Sequence, residues 1–239
     1  MIELDGVRKK LGGRQLLDGL SFVVPEGAVF GLVGAPGAGR STTLRILATL
    51  VRPDAGRASV AGVSVDDGPA VRRLVGYLPE RCGAYRDMTA LDSLVFYAGV
   101  HGVAPARRRP LAGEVLEVLG LDDRAGAAVT GLSTGQRRRL ALGRTLVHDP
   151  AVLLLDEPTA GLDPESAGEV RSLLVDLAAM GRTMLVTGRS VADVEPFATL
   201  AGALRDGRLV ACGPPAEVRA ALGEPALGEP AAPVGAAEG

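Results

Sequence analysis

An α/β fold built on a parallel sheet is predicted by three features of this sequence. The apolar run AVFGLV leads directly into GAPGAGRST, residues 34–42, a glycine-rich turn followed by helix-compatible residues. AVLLLDEP is a continuous apolar run ended by two acids, the pattern of a strand buried on both faces. RTMLVTG repeats that pattern, and EVRSLLVDLAAMG between the two reads as the crossover helix that joins parallel strands.

The remaining elements follow in chain order. IELDGVRKKLGGRQLLDGLSFVVPEG has short β-branched and apolar runs separated by Gly-Gly, Asp-Gly and Pro-Glu-Gly, which reads as strands joined by turns. After the glycine-rich loop a helix opens at Ser41 and carries Leu44, Ile46, Leu47 and Leu50 until Pro53 and Gly56 stop it. From about Asp87 to Thr130 the pattern is helical, with ALDSLVFYAGV and LAGEVLEVLGL carrying apolar residues at three- and four-residue spacing. The end repeats ALGEP at residues 221–225 and 226–230 and finishes in Ala, Pro and Gly, so residues 219–239 are expected to be a low-complexity tail without a packed core.

Composition narrows the classes of function. With 239 residues, 47% of them apolar, the chain can bury a sizeable core. Its formal charge of −2 argues against a dedicated nucleic-acid surface, despite the runs Arg107–Arg109 and Arg137–Arg139. Cys82 and Cys212 fit neither a metal spacing nor a disulfide framework, which points to a reducing compartment. The longest stretch without Asp, Glu, Lys or Arg before the tail, Ser93 to Ala106, is too short to cross a bilayer as a helix. The start, MIELDG, carries Glu3 and Asp5 and has no basic-then-apolar segment, so a cytoplasmic location is expected.

The chemistry concentrates in two places. Gly34, Gly37 and Gly39, with Ala35, Pro36 and Ala38 between them, allow a tight turn whose N–H groups point inward as an anion nest at a helix start. Arg40 then stands where a cation reaches the β- and γ-phosphates, and Ser41, followed by Thr42, offers a hydroxyl to Mg²⁺. A dinucleotide fingerprint needs Gly-x-Gly-x-x-Gly, whereas the spacing here is Gly34-x-x-x-x-Gly39 followed by Arg-Ser-Thr. Asp156, at the end of VLLLDE, is placed to bind Mg²⁺, and Glu157 to polarise an attacking water.

With these residues in hand, the chain resembles the nucleotide-binding subunits of ABC transporters from about residue 2 to 218. The most specific piece is LSTGQRRRLALGRTLVHDP at residues 132–150, which is similar to the family signature Leu-Ser-Gly-Gly-Gln with Thr134 at its third position. TAGLDP at residues 159–164 resembles the family's D-loop, with Asp163 its acid. The resemblance implies a P-loop NTPase core with an N-terminal antiparallel β-subdomain and an α-helical subdomain over about residues 87–145. It implies ATP and Mg²⁺ as the bound species, with Ser133, Gly135 and Gln136 facing the nucleotide held by an opposite subunit. It also implies a homodimer or heterodimer with another ABC ATPase subunit, seated peripherally on the inner face of the cell membrane against an integral-membrane permease. YLPERCGAYRDMTALDSLVFYAGVHG is similar to subunits that serve drug or polyketide exporters, which makes export the expected direction.

Four positions depart from the family pattern. Leu11 stands where an aromatic ring usually stacks on adenine, leaving an apolar contact only. Arg40 replaces the family lysine with a bulkier, planar cation. Glu80, in VGYLPERCG, replaces a glutamine and is assigned as a metal ligand beside Ser41 and Asp156. Gly188 stands where the family places a histidine, and the only histidines, His101 and His148, both precede Asp156 and are assigned surface or capping roles. Arg189 is placed to supply part of the missing positive charge. Only Lys9 and Lys10 among 26 basic residues are lysines, so Arg40 also fits a general drift toward arginine. These departures leave two expectations: a slow ATPase, or a degenerate subunit that binds nucleotide and donates its signature to a competent partner.

Overall fold

The computed structural model describes residues 1–83 and 87–224. The chain opens with two long strands, β1 (Ile2–Leu11) and β2 (Arg14–Val24), which pair antiparallel through the Gly12-Gly13 turn. Strands β4 (Ala55–Val60) and β5 (Val63–Ser64) join them in a four-stranded antiparallel sheet of order β2-β1-β4-β5. Its apolar face, with Ile2, Leu4, Val7, Leu20 and Val24 fully or almost fully buried, closes over α1 (Arg40–Leu47).

The main sheet has six strands in the order β10-β9-β3-β8-β7-β6. Strands β3 (Val29–Val33), β6 (Val75–Leu78), β7 (Val152–Leu155), β8 (Thr183–Gly188) and β9 (Leu200–Arg205) run parallel. Strand β10 (Arg208–Gly213) closes one edge antiparallel to β9. Every residue of β3, β7 and β8 is buried, as two-sided coverage of a parallel sheet requires. The layers come from α1 on the face toward the antiparallel sheet and α6 (Pro164–Ala179) with the helical region on the other.

The helical region consists of α3 (Ala90–Val100), α4 (Pro105–Val118) and α5 (Thr134–Leu146). Thr89 caps α3 by accepting from the Asp92 amide, and Ser133 and Gln136 cap α5 reciprocally. A short α2 (Gly68–Leu74) precedes β6. The last helix, α7 (Pro215–Leu222), continues past the boundary at residue 218 drawn from the sequence, because Pro214 and Pro215 start it and Gly223 ends it in the left-handed region. Residues 225–239, most of the expected low-complexity tail, lie outside the described residues, as do residues 84–86. No helix among the described residues is long and apolar enough to cross a membrane.

Candidate active site

Strand order brings the sequence motifs together. Strands β3, β8, β7 and β6 are neighbours, and their carboxyl ends deliver, in that order, residues 34–40, Thr187 to Arg189, Asp156 with Glu157, and Pro79 with Glu80. Ligands of open parallel sheets bind at this edge. Gly39 adopts φ 112°, where an L side chain is strained, and a Cβ there would meet the Leu16 carbonyl and the Leu17 side chain. Only glycine therefore lets the loop feed α1 at this point, and the helix begins at Arg40, one residue before Ser41.

A compact polar cluster sits beneath the loop. Asp156 is buried, and its Oδ1 accepts from Ser41 Oγ at 3.1 Å and from Thr187 Oγ1 at 2.8 Å. Thr187 also accepts from the Glu157 amide at 2.8 Å, so this hydroxyl ties β8 to the two acids at the end of β7. The other carboxylate oxygen, Asp156 Oδ2, is buried with no hydrogen-bond partner. A buried anionic oxygen with spare acceptor capacity beside a serine hydroxyl suits a hard, oxygen-seeking cation, so Ser41 and Asp156 fit Mg²⁺.

Arg40 does not extend into the loop. Its Nη2 pairs with Glu157 Oε1 at 2.7 Å, and its Nη1 donates to the Gly188 carbonyl at 2.6 Å, with the side chain 6% exposed. Arg189 reaches the same carboxylate from solvent, its Nε 3.1 Å from Glu157 Oε2. Glu157 itself sits at φ 42°, an uncommon conformation for a non-glycine residue, held by the Thr187 bond to its amide. Residues 34–38 line a cavity of about 290 Å³ together with Arg14, Arg189 and Arg205. Asp206 and Glu224 also line it, and the glycine-rich backbone with three arginines in the same lining suits a polyphosphate.

The other sequence-assigned residues are placed as follows. Leu11 ends β1, largely exposed, and does not line that cavity; Arg14, across the turn, does. Glu80 is exposed and lines a different groove with Thr134, Arg137 and Leu162. Among the described residues no three His, Cys, Asp or Glu side chains are grouped to hold a metal. Ser133 and Gln136 are engaged with each other's backbone at the start of α5, at 3.1 and 2.9 Å. Gly135 is buried where any Cβ would run into the Ser166 side chain, which lets α5 approach α6 closely. Asp163 caps α6 through the Ser166 amide at 2.9 Å, and that bond holds its exposed carboxyl below the usual carboxylate range. His101 closes α3 and stacks on His148 with ring centroids 3.7 Å apart. Cys82 and Cys212 are free thiols.

Two contributors were missed from sequence. Thr187 is a polar residue at the end of a fully buried strand, and that mismatch was the available signal. Arg138, the middle of a run read as basic, has its guanidinium turned inward onto backbone carbonyls. Its three- and four-residue spacing from the buried Gly135 and Leu142 was the clue.

Comparison with known proteins places this architecture. Residues 17–160 match the ABC transporter family. The chain is 38% identical over 215 residues to the Nod factor export ATP-binding protein I of Paraburkholderia xenovorans (strain LB400), covering 90% of this chain and 71% of that relative. It is 37% identical over 227 residues to the daunorubicin/doxorubicin resistance ATP-binding protein DrrA of Streptomyces peucetius, covering 95% of this chain and 69% of that relative. Its fold is similar to the ATP-binding cassette MJ0796, solved as a dimer in a post-hydrolysis state with ADP and Pi: the TM-score is 0.80 at 25% identity, covering 90% of this chain and 98% of that one. The chain belongs to the ABC transporter family. Within it, the chain is an ATP-binding subunit, an ABC-type ATPase.

Proposed function

We propose that this chain powers a separate integral-membrane permease from the inner face of the cell membrane, with export as the direction of transport. The observation that carries this reading is the meeting of the glycine-rich loop, Ser41, Asp156 and Glu157 at one sheet edge, with Asp156 Oδ2 buried and unpartnered. The relatives named for Nod factor export and for daunorubicin resistance support export. The dimeric cassette with ADP and Pi supports pairing of two such subunits, as a homodimer or a heterodimer.

Residues 34–39 bind the polyphosphate through backbone N–H groups, aided by the dipole at the start of α1. Ser41 and Asp156 would hold Mg²⁺, which would neutralise phosphate charge. Arg40 leaves Glu157 for the phosphate oxygens. The freed Glu157 carboxylate orients the attacking water and takes its proton as the new O–P bond forms and the bond to the leaving ADP oxygen breaks. Leu11 offers an apolar contact to the base, and Ser133, Gly135, Gln136 and Asp163 belong to the surface that meets the opposite nucleotide. Co-expression of a candidate permease tests the transport role: membrane recruitment and permease-stimulated ATP turnover are expected, and a chain that stays off membranes with unchanged turnover contradicts it.

A second reading is favoured by one observation, the engagement of Glu157 by both Arg40 and Arg189. In it this subunit holds nucleotide with little turnover and lends Ser133, Gly135 and Gln136 to a competent partner.

A further inference from the structure

Arg138 lies in the second turn of α5, five residues beyond Ser133, about 7.5 Å along the helix axis. The residue is 9% exposed, and its guanidinium addresses two separate loops at once. Toward the turn after β7, Nε donates to the Pro158 carbonyl at 2.7 Å, and Nη2 donates to the carbonyls of Asp156 at 3.0 Å and Glu157 at 2.7 Å. Toward the turn after β6, Nη1 donates to the carbonyls of Pro79 at 3.1 Å and Glu80 at 3.0 Å, and to Cys82 Sγ at 3.4 Å. No carboxylate pairs with it among the described salt bridges; backbone dipoles from both loops offset the desolvation of the charge instead.

This geometry constrains the site. The three carbonyls held on one side flank and include Glu157, whose left-handed backbone is already uncommon and depends on its surroundings to persist. The two carbonyls on the other side fix the turn that presents Glu80. A planar fork with donors on three nitrogens can hold both turns; a lysine ammonium on a flexible stem cannot span them.

We propose that Arg138 is a positioning residue for ATP hydrolysis: from the helix that begins at Ser133, it clamps the Asp156–Pro158 and Pro79–Glu80 backbones into one unit and thereby sets the Glu157 carboxylate. The proposal rests on the reading of Glu157 as the group that orients the attacking water. Displacing a reacting group by about 1 Å costs on the order of 10²-fold in rate, and the clamp acts on placement and leaves nucleotide contacts alone.

The test uses the full chain with Arg138→Lys and, as a second variant, Arg138→Gln, each checked for folding by circular dichroism. Steady-state kinetics are expected to show kcat lowered about 10- to 100-fold with KM and Mg-ATP affinity within about threefold of wild type. Hydrogen exchange is expected to speed up together in residues 79–83 and 156–160, while α3, α4 and the loop at 34–39 keep their protection. Wild-type kcat in a folded Arg138→Lys chain overturns the proposal, as does loss of protection confined to one of the two loops or spread evenly over the helical region. Glu157→Gln measured beside them separates the two readings: turnover that survives it removes Glu157 as the base, and the exchange pattern then decides whether Arg138 clamps the loops.

Discussion

The Arg40 guanidinium closes on the Glu157 carboxylate at 2.7 Å, with both side chains largely out of solvent, while its second nitrogen donates to the Gly188 carbonyl. The cation assigned to the phosphates and the carboxylate assigned to the water therefore hold each other in this structure. Breaking such a pair without a replacement leaves a buried charge uncompensated, so under the proposed mechanism an incoming phosphate anion that takes Arg40 in exchange would release Glu157.

Replacing Arg40 by lysine is the direct probe of this exchange. A compact ammonium enters a backbone nest more readily than a planar fork and cannot hold Glu157 and the Gly188 carbonyl with the same geometry. Arg40→Lys is expected to raise ATP turnover about 3- to 10-fold and to lower the stability of the nucleotide-free chain by about 1 kcal/mol. Turnover and urea denaturation of the two proteins check both effects.

Restoring the family histidine alone is expected to fail. A Cβ at Gly188 would stand 2.9 Å from Asp193 Cβ, closer than real Cβ atoms pack, and 3.0 Å from Val194 Cγ1, a tight contact. Gly188→His should cost about 1 to 3 kcal/mol through overpacking and leave turnover at or below wild type. Thermal unfolding and an ATPase assay read the two outcomes.

How much of this was legible in the sequence depends on how far each signal reaches. Continuous apolar runs at residues 152–155 and 184–186 announce buried parallel strands, and the glycine spacing at residues 34–39 announces the loop, because both are local backbone requirements. The sequence assigned Arg40 to the phosphates by position, yet where its guanidinium points depends on Glu157 and Gly188, more than 110 residues away. Glu80 was assigned to the metal by motif position, whereas the structure turns it toward the groove beside Thr134. Arg138 was hidden for the opposite reason: it is the middle of three consecutive arginines read as a short basic run, and only the helix phase separates the inward one from its neighbours.

The stacked histidines give the chain a pH dependence. Burial lowers the His148 pKa from 6.5 to about 4, with the facing His101 adding to the shift, while the Val75 carbonyl and Asp149 oppose it. His148 stays neutral in the fold while the unfolded chain takes up a proton below pH 6.5, so stability falls as the pH drops from about 6.5 toward 4. Allowing for partial exposure, the loss is about 1 to 2 kcal/mol. Urea denaturation across this range should show a shallower loss in His148→Gln than in wild type.

The central claim is that this chain hydrolyses ATP with its own Glu157 once nucleotide has drawn Arg40 away. Mg-ATP affinity and steady-state turnover of the purified chain, measured beside Glu157→Gln, test it most directly. The account predicts measurable wild-type turnover that falls about 10²- to 10³-fold in Glu157→Gln while Mg-ATP affinity is retained. Mg-ATP binding without turnover in the wild type, or turnover unchanged by Glu157→Gln, would contradict it.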